Sequence, residues 1–177
     1  RGRILQEYQL LYIVKGRGEF ANQTTSYDIV KGTLVLLRPG VWHSYKPSKN
    51  EGWTEYFIGF SGEIADKAIE KLFAEDEQIF NVGLKQEMVD LYQRAIEVAA
   101  EDRPSAQQLL CGIVMHLLGN LSYIAHSAIT ADRMDQIIEQ AKAIMQEKAS
   151  QNIDLDMLAE QLNVSYSWFR KVFREYT

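Results

Sequence analysis

The sequence predicts an α+β chain, with an antiparallel β sandwich or small barrel over residues 1–62 followed by amphipathic helices. Three observations predict it. The first 62 residues are rich in β-branched and aromatic residues, broken by Gly, Pro and Asn at roughly ten-residue spacing. After Ser61-Gly62 the apolar period changes from 2 to about 3.6. At the C-terminal end, two short apolar periods flank the break Asn163-Val164.

The β region reads as strands over Tyr8 to Val14, Glu19 to Ala21, Thr24 to Val30, Thr33 to Leu37, Trp42 to Tyr45 and Trp53 to Phe60. Gly16-Arg17-Gly18, Asn22-Gln23, Lys31-Gly32 and Arg38-Pro39-Gly40 serve as turns between them. Ile64, Ala68, Ile69 and Leu72 mark a first helix, and Met88, Leu91, Tyr92, Ala95 and Ile96 a second. A third runs from Pro104-Ser105 to His126. Its stripe of Leu109, Leu110, Ile113, Val114, Leu117, Leu118, Leu121 and Ile124 is wider than one neighbour covers. That excess fits either a homodimer seam over about 104–126 or a plain intramolecular core. Ser127 to Ala131 reads as a connector. A fourth helix carries Met134, Ile137, Ile138, Ala141, Ile144 and Met145, and ends in the polar stretch Lys148 to Asn152.

Composition narrows the function classes. The chain has 177 residues, 46% hydrophobic and 24% charged, with a net charge of −5. Eleven glycines and three prolines are too few for a disordered or collagen-like chain. No continuous apolar run approaches the roughly 20 residues of a membrane span, so no membrane partner is expected. The single cysteine, Cys111, cannot form an intrachain disulfide; it reads as a small core residue in an apolar helix. With no signal pattern at the N-terminus, a cytoplasmic protein is the default, and a start without Met suggests a missing N-terminal segment. Charge is uneven: +3 over residues 1–62, −7 over 63–102 and −1 over 103–177.

Residues 154–177 carry the clearest motif. Asp154 suits an N-cap for a helix with Leu155, Leu158, Ala159 and Leu162 on one side. Ser165 caps a second helix with Phe169, Val172, Phe173 and Tyr176 on one side, and small Ala159 permits close approach. The opposite stripe, Ser167, Arg170, Lys171 and Arg174, is hydroxyl and cationic. Such a stripe suits base edges and phosphates of double-stranded DNA, and equally a solvated face of an αα-hairpin.

The run Ile153 to Thr177, with its Leu158-Ala159 pair, Ser165 cap and Arg170-Lys171-x-Phe173 ending, resembles the first helix-turn-helix of AraC-type bacterial transcription regulators. Tyr12 to Gly18, Gly32 to His43 and Trp53 to Gly62 are similar to recurring segments of that family's N-terminal half. The resemblance implies a cupin-like antiparallel β-barrel that binds a small effector, a helical dimerisation segment, and an all-α helix-turn-helix segment. It divides the chain into an effector-binding and dimerisation domain, 1–127, and the first half of a DNA-binding domain, 128–177. The family's domain has two helix-turn-helix units, so a chain stopping at Thr177 is expected to bind DNA weakly or not at all by itself.

A binding role is expected over an enzymatic one. His43 lies in a Pro-Gly-x-x-His turn resembling the second cupin motif, but no histidine lies near Tyr8 to Gly18, where the first motif would supply its pair. One imidazole is too few for a catalytic metal, so neither metal nor cofactor is expected. Strand alternation puts Leu11, Ile13 and Lys15 on one face, and Glu55, Phe57 and Gly59 on one face of a later strand. Lys15 and Glu55 are the unusual residues there. Matching the sugar-sensing member for which the family is named implies Lys15, Tyr45, Glu55 and Phe57 as ligand contacts, with His43 as either a contact or a structural residue of the turn. A cation, a carboxylate and a phenol suit a hydroxyl-rich ligand such as a carbohydrate. The plain alternative pairs Lys15 with Glu55 and leaves Phe57 in the core; the remaining function classes are a sugar-modifying cupin enzyme and a ligand-free dimerisation module.

Overall fold

The computed structural model describes residues 2–101, 103–147 and 153–176, apart from the side chains of 128–132, 147 and 176. The chain forms two compact units, residues 1–125 and 126–177. Its elements are β1 (Arg3–Ile4), β2 (Tyr8–Ala21), β3 (Ser26–Val30), β4 (Thr33–Leu37), β5 (Trp42–Pro47), β6 (Trp53–Phe60), α1 (Glu63–Leu72), β7 (Ile79–Asn81), α2 (Gln86–Glu101), α3 (Ala106–Glu147), α4 (Leu155–Gln161) and α5 (Tyr166–Tyr176). The protein is α+β, with a seven-stranded antiparallel sheet in the first unit.

That sheet is organised on β2. Its first half pairs with β4 and β6, and its second half with β3 and β5, so one strand joins two layers. Leu11 and Ile13 pack with Phe20, Ile29, Val35 and Leu37 between those layers. Leu10, Tyr12, Leu34 and Leu36 take the other face against Ile69, Met88, Tyr92, Leu117 and Leu121 of the helices. With both faces covered, β2 and β4 read as unbroken apolar runs (Leu-Leu-Tyr-Ile, Leu-Val-Leu-Leu) instead of alternating. Each such Leu or Ile contributes about 1.5–3 kcal/mol by burial. Tyr12 ties strand to loop: its hydroxyl donates to Gly83 O at 2.7 Å and accepts from Lys85 N at 2.7 Å.

Several expectations are corrected. Gly16-Arg17-Gly18 is not a turn, because β2 continues through it to Ala21. Its glycines permit close backbone approach: Gly16 has φ 80°, and a Cβ at Gly18 would lie 2.6 Å from the Trp53 ring. The connector expected at Ser127 to Ala131 is helical, within α3, since that stretch holds neither Gly nor Pro to stop a helix. The short strands β1 and β7 carry too little pattern to be read from sequence. Cys111 is exposed and not in the core. By length and mean hydropathy Ala106–Ser127 would pass for a membrane span, against the expectation from continuous apolar runs. Its Ile113, Val114, Leu117, Leu118 and Leu121 are instead core residues of the first unit.

In the second unit Ile137 and Ala141 pack with Leu158, Ala159, Leu162 and Phe169. Asp154 Oδ1 accepts from Asp156 N at 2.9 Å and Met157 N at 3.3 Å, capping α4. Asn163, at φ 55°, makes the turn, and Ser165 Oγ accepts from Trp168 N at 3.3 Å to cap α5. The polar stretch 148–152 lies outside the described residues.

Candidate functional site

The site grows from the pairing of β1 with β5, which sets Arg3 opposite His43. The Arg3 guanidinium lies 5.1 Å from the Tyr45 ring centroid, and its Nη2 donates to the Tyr45 hydroxyl. Behind it runs a stack of rings: Phe20 to His43 at 6.3 Å, His43 to Tyr45 at 6.2 Å, Tyr45 to Trp53 at 5.9 Å. Arg3, His43, Ser44 and Tyr45 line a cleft of about 160 Å³.

Two buried acceptors lack donors here. His43 is 1% exposed, and its Nδ1 lies 3.1 Å from Val41 O. A carbonyl only accepts, so Nδ1 carries the hydrogen and Nε2 presents a lone pair, which is buried and has no hydrogen-bond partner. Burial lowers the His43 pKa, against the Val41 bond, with the Arg3 charge lowering it further, which favours the neutral ring. Glu55 stands opposite Ile13 in the β2–β6 ladder, and its Oε2 is likewise buried without a partner. Burial raises the Glu55 pKa above the ordinary carboxylate range, while a bond from the Trp53 side chain and the Arg3 charge pull it back. The Tyr45 phenol is also raised, chiefly by burial.

Of the residues expected to bind ligand, the structure brings His43, Tyr45 and Glu55 together and leaves Lys15 and Phe57 out. A β-bulge between Ile13 and Lys15 sets Ile13 against Glu55 but Lys15 against Thr54, and Lys15 is exposed. The shared face expected for Leu11, Ile13 and Lys15 therefore fails at its last residue. No ion pair joins Lys15 to Glu55 among the described residues. Phe57 is 62% exposed and borders a separate groove, so it is not a core residue either. Arg3 supplies the cation in place of Lys15. Sequence reading missed it because it sits on a two-residue strand; its only signal is a cation one strand-pair from His43.

On α5, Ser167, Arg170, Lys171 and Arg174 are all exposed, while Phe169 and Val172 are buried. Among the described residues no acidic side chain pairs with that basic stripe. The Ser165 hydroxyl is engaged in capping.

The AraC-like ligand binding domain family matches residues 3–162. The Msm operon regulatory protein of Streptococcus mutans is 22% identical over 98% of the chain, and the lactose operon transcription activator of Staphylococcus xylosus 21% identical over 97%. The chain spans 64% and 63% of the lengths of these two relatives. Among solved structures, an apo variant of ToxT from Vibrio cholerae aligns with a TM-score of 0.45 and 12% identity, covering 97% of this chain and 86% of that one.

Proposed function

The chain belongs to the AraC-like ligand-binding domain family, and from that premise we propose that it is the effector-sensing part of a transcription regulator whose effector is a neutral, hydroxyl-rich molecule such as a sugar. Both relatives are named as regulators of operons, one of them a lactose operon. One observation supports the effector class: two buried acceptors, His43 Nε2 and Glu55 Oε2, stand without donors beside the Arg3–Tyr45 pair. A buried acceptor left unmade costs about 1–3 kcal/mol. A ligand that carries hydroxyl donors removes that cost, and the Tyr45 and Trp53 rings offer apolar faces for a sugar ring. Glu55 disfavours an acidic ligand, since a second carboxylate would meet its charge in a partly desolvated place.

The protein acts by binding and not by catalysis, needs no metal or cofactor, and works in the cytoplasm as a homodimer through residues about 104–126. In the whole protein Ser167, Arg170 and Lys171 on α5 read bases and Arg174 holds phosphate; Ser165 orients the helix. An effector shifts such a system only through different affinity for two states.

A thermal-shift screen against monosaccharides, uronic acids and small aromatic acids tests the effector class. A ligand at 100 times its dissociation constant adds about 2.7 kcal/mol. A neutral sugar should raise Tm saturably in the wild type and in Lys15→Ala, and by markedly less in Glu55→Gln or Arg3→Ala. A shift produced only by acids, or one lost in Lys15→Ala, would defeat this reading.

A further inference from the structure

A second cavity of the first unit lies apart from the cleft beside Arg3. A half-open groove of about 490 Å³ lies between β6 and the helices α1, α2 and the start of α3. Its size falls among known ligand pockets, roughly 300–1,000 Å³. It exists because each bordering element presents a small side chain: Gly59 at β6, Ala65 on α1, Ala95 and Ala99 on α2, and Cys111 on α3. Close-packed interiors fill such space, so five small residues facing one void leave a shaped hole. Phe60, Tyr92, Leu110 and Val114 supply apolar walls.

The groove also has a sign. Among the described residues Glu7 is the one charged residue in its lining, and no lysine, arginine or histidine faces it. The carboxylate lies across Gly59, where a Cβ would come within 2.6 Å of Glu7 Oε1. Glu7 accepts from Gln9 Nε2 at 3.0 Å and forms no ion pair among the described residues. At the rim Phe57 and Ile96 are 62% and 59% exposed. An aromatic face beside a carboxylate over an apolar void suits a positive head on an apolar body.

We propose that this groove binds a small organic cation with an apolar body, at a site separate from the cleft of Arg3, His43, Ser44 and Tyr45. The inference does not rest on the sugar reading. Naphthylethylammonium is the probe, with naphthylpropionate as its anionic analogue, titrated while the alanine methyl NMR signals are followed. The cation should bind saturably and shift Ala65, Ala95 and Ala99. Glu7→Gln should weaken it roughly tenfold or more, the loss of one hydrogen bond to a charged group. Ala99→Phe, a substitution at an exposed helix position that fills the groove, should abolish binding while Tm is kept. Equal affinity for the anion, no change in Glu7→Gln, or no saturable shift at those alanines would overturn the proposal. So would a ligand-free dimer that Ala99→Phe dissociates in sedimentation, which would make the groove a contact between copies of the chain.

Discussion

His43 shows how one residue joins sequence, packing and pH response. It is held between Phe20 and Tyr45 and fixed in one tautomer by Val41 O, and its pKa lies below the usual 6.5. A histidine with a depressed folded pKa contributes stability that is present above the unfolded value and lost as pH falls through the folded one. Glu55 has the opposite sense: its raised pKa means stability present below the ordinary carboxylate range and lost as pH rises through the raised value. Replacing His43 with Phe, which preserves the ring stack, should flatten the fall in Tm from pH 7 towards pH 5; an unchanged acid-side slope would show that His43 charges without cost. Replacing Glu55 with Gln should raise the ligand-free Tm near pH 8 relative to wild type, because a buried charge is removed. The sequence made His43, Tyr45 and Glu55 legible through a turn motif, a resemblance and a carboxylate in an apolar strand. It misplaced Lys15 because a single bulge inverts the alternation beyond Ile13, and nothing in the residue pattern marks that bulge except Gly16.

At the scale of elements, period and capping carried most of the information. The helices α1, α2, α4 and α5 follow from apolar spacing, and Asp154 and Ser165 cap where Asx and Ser side chains are expected to cap. Glycines were the weak point: the same residue type permits a turn at Gly32 and close strand approach at Gly18, and only the partner strand decides which. Ser165→Ala should cost about 1 kcal/mol of stability through the lost cap of α5, measured by urea unfolding of the chain. Ala159→Leu should cost about 1–3 kcal/mol by overpacking the core of Leu158, Leu162 and Phe169. A neutral outcome at Ala159 would mean that the two helices do not depend on close approach there. If α5 reads bases in the whole protein as proposed, Arg170→Ala should relax preference at one base pair and cost about 1–3 kcal/mol of binding. A uniform loss over all DNA sequences would move Arg170 to the phosphate class.

At the scale of the molecule, the α+β class was visible in the change of period after Gly62, but the division of labour between the two faces of the sheet was not. The sequence shows that β2 and β4 are apolar throughout; it cannot show which residues meet helices and which meet the opposing strands. The wide stripe on α3 resolves in the same way. Ile113, Val114, Leu117, Leu118 and Leu121 are buried within the first unit, and Leu109, 48% exposed, is the stripe residue left facing solvent. If α3 forms the proposed homodimer seam, Leu109→Glu should shift the chain toward monomer in sedimentation equilibrium at micromolar concentration. An unchanged oligomeric state would place the seam elsewhere. The donor-seeking site of Arg3, His43, Tyr45 and Glu55 is tested by calorimetric titration of wild type and Glu55→Gln with the best neutral sugar. Binding should be saturable in the wild type and weaker by roughly tenfold or more in the variant. Equal affinity in the two would contradict it.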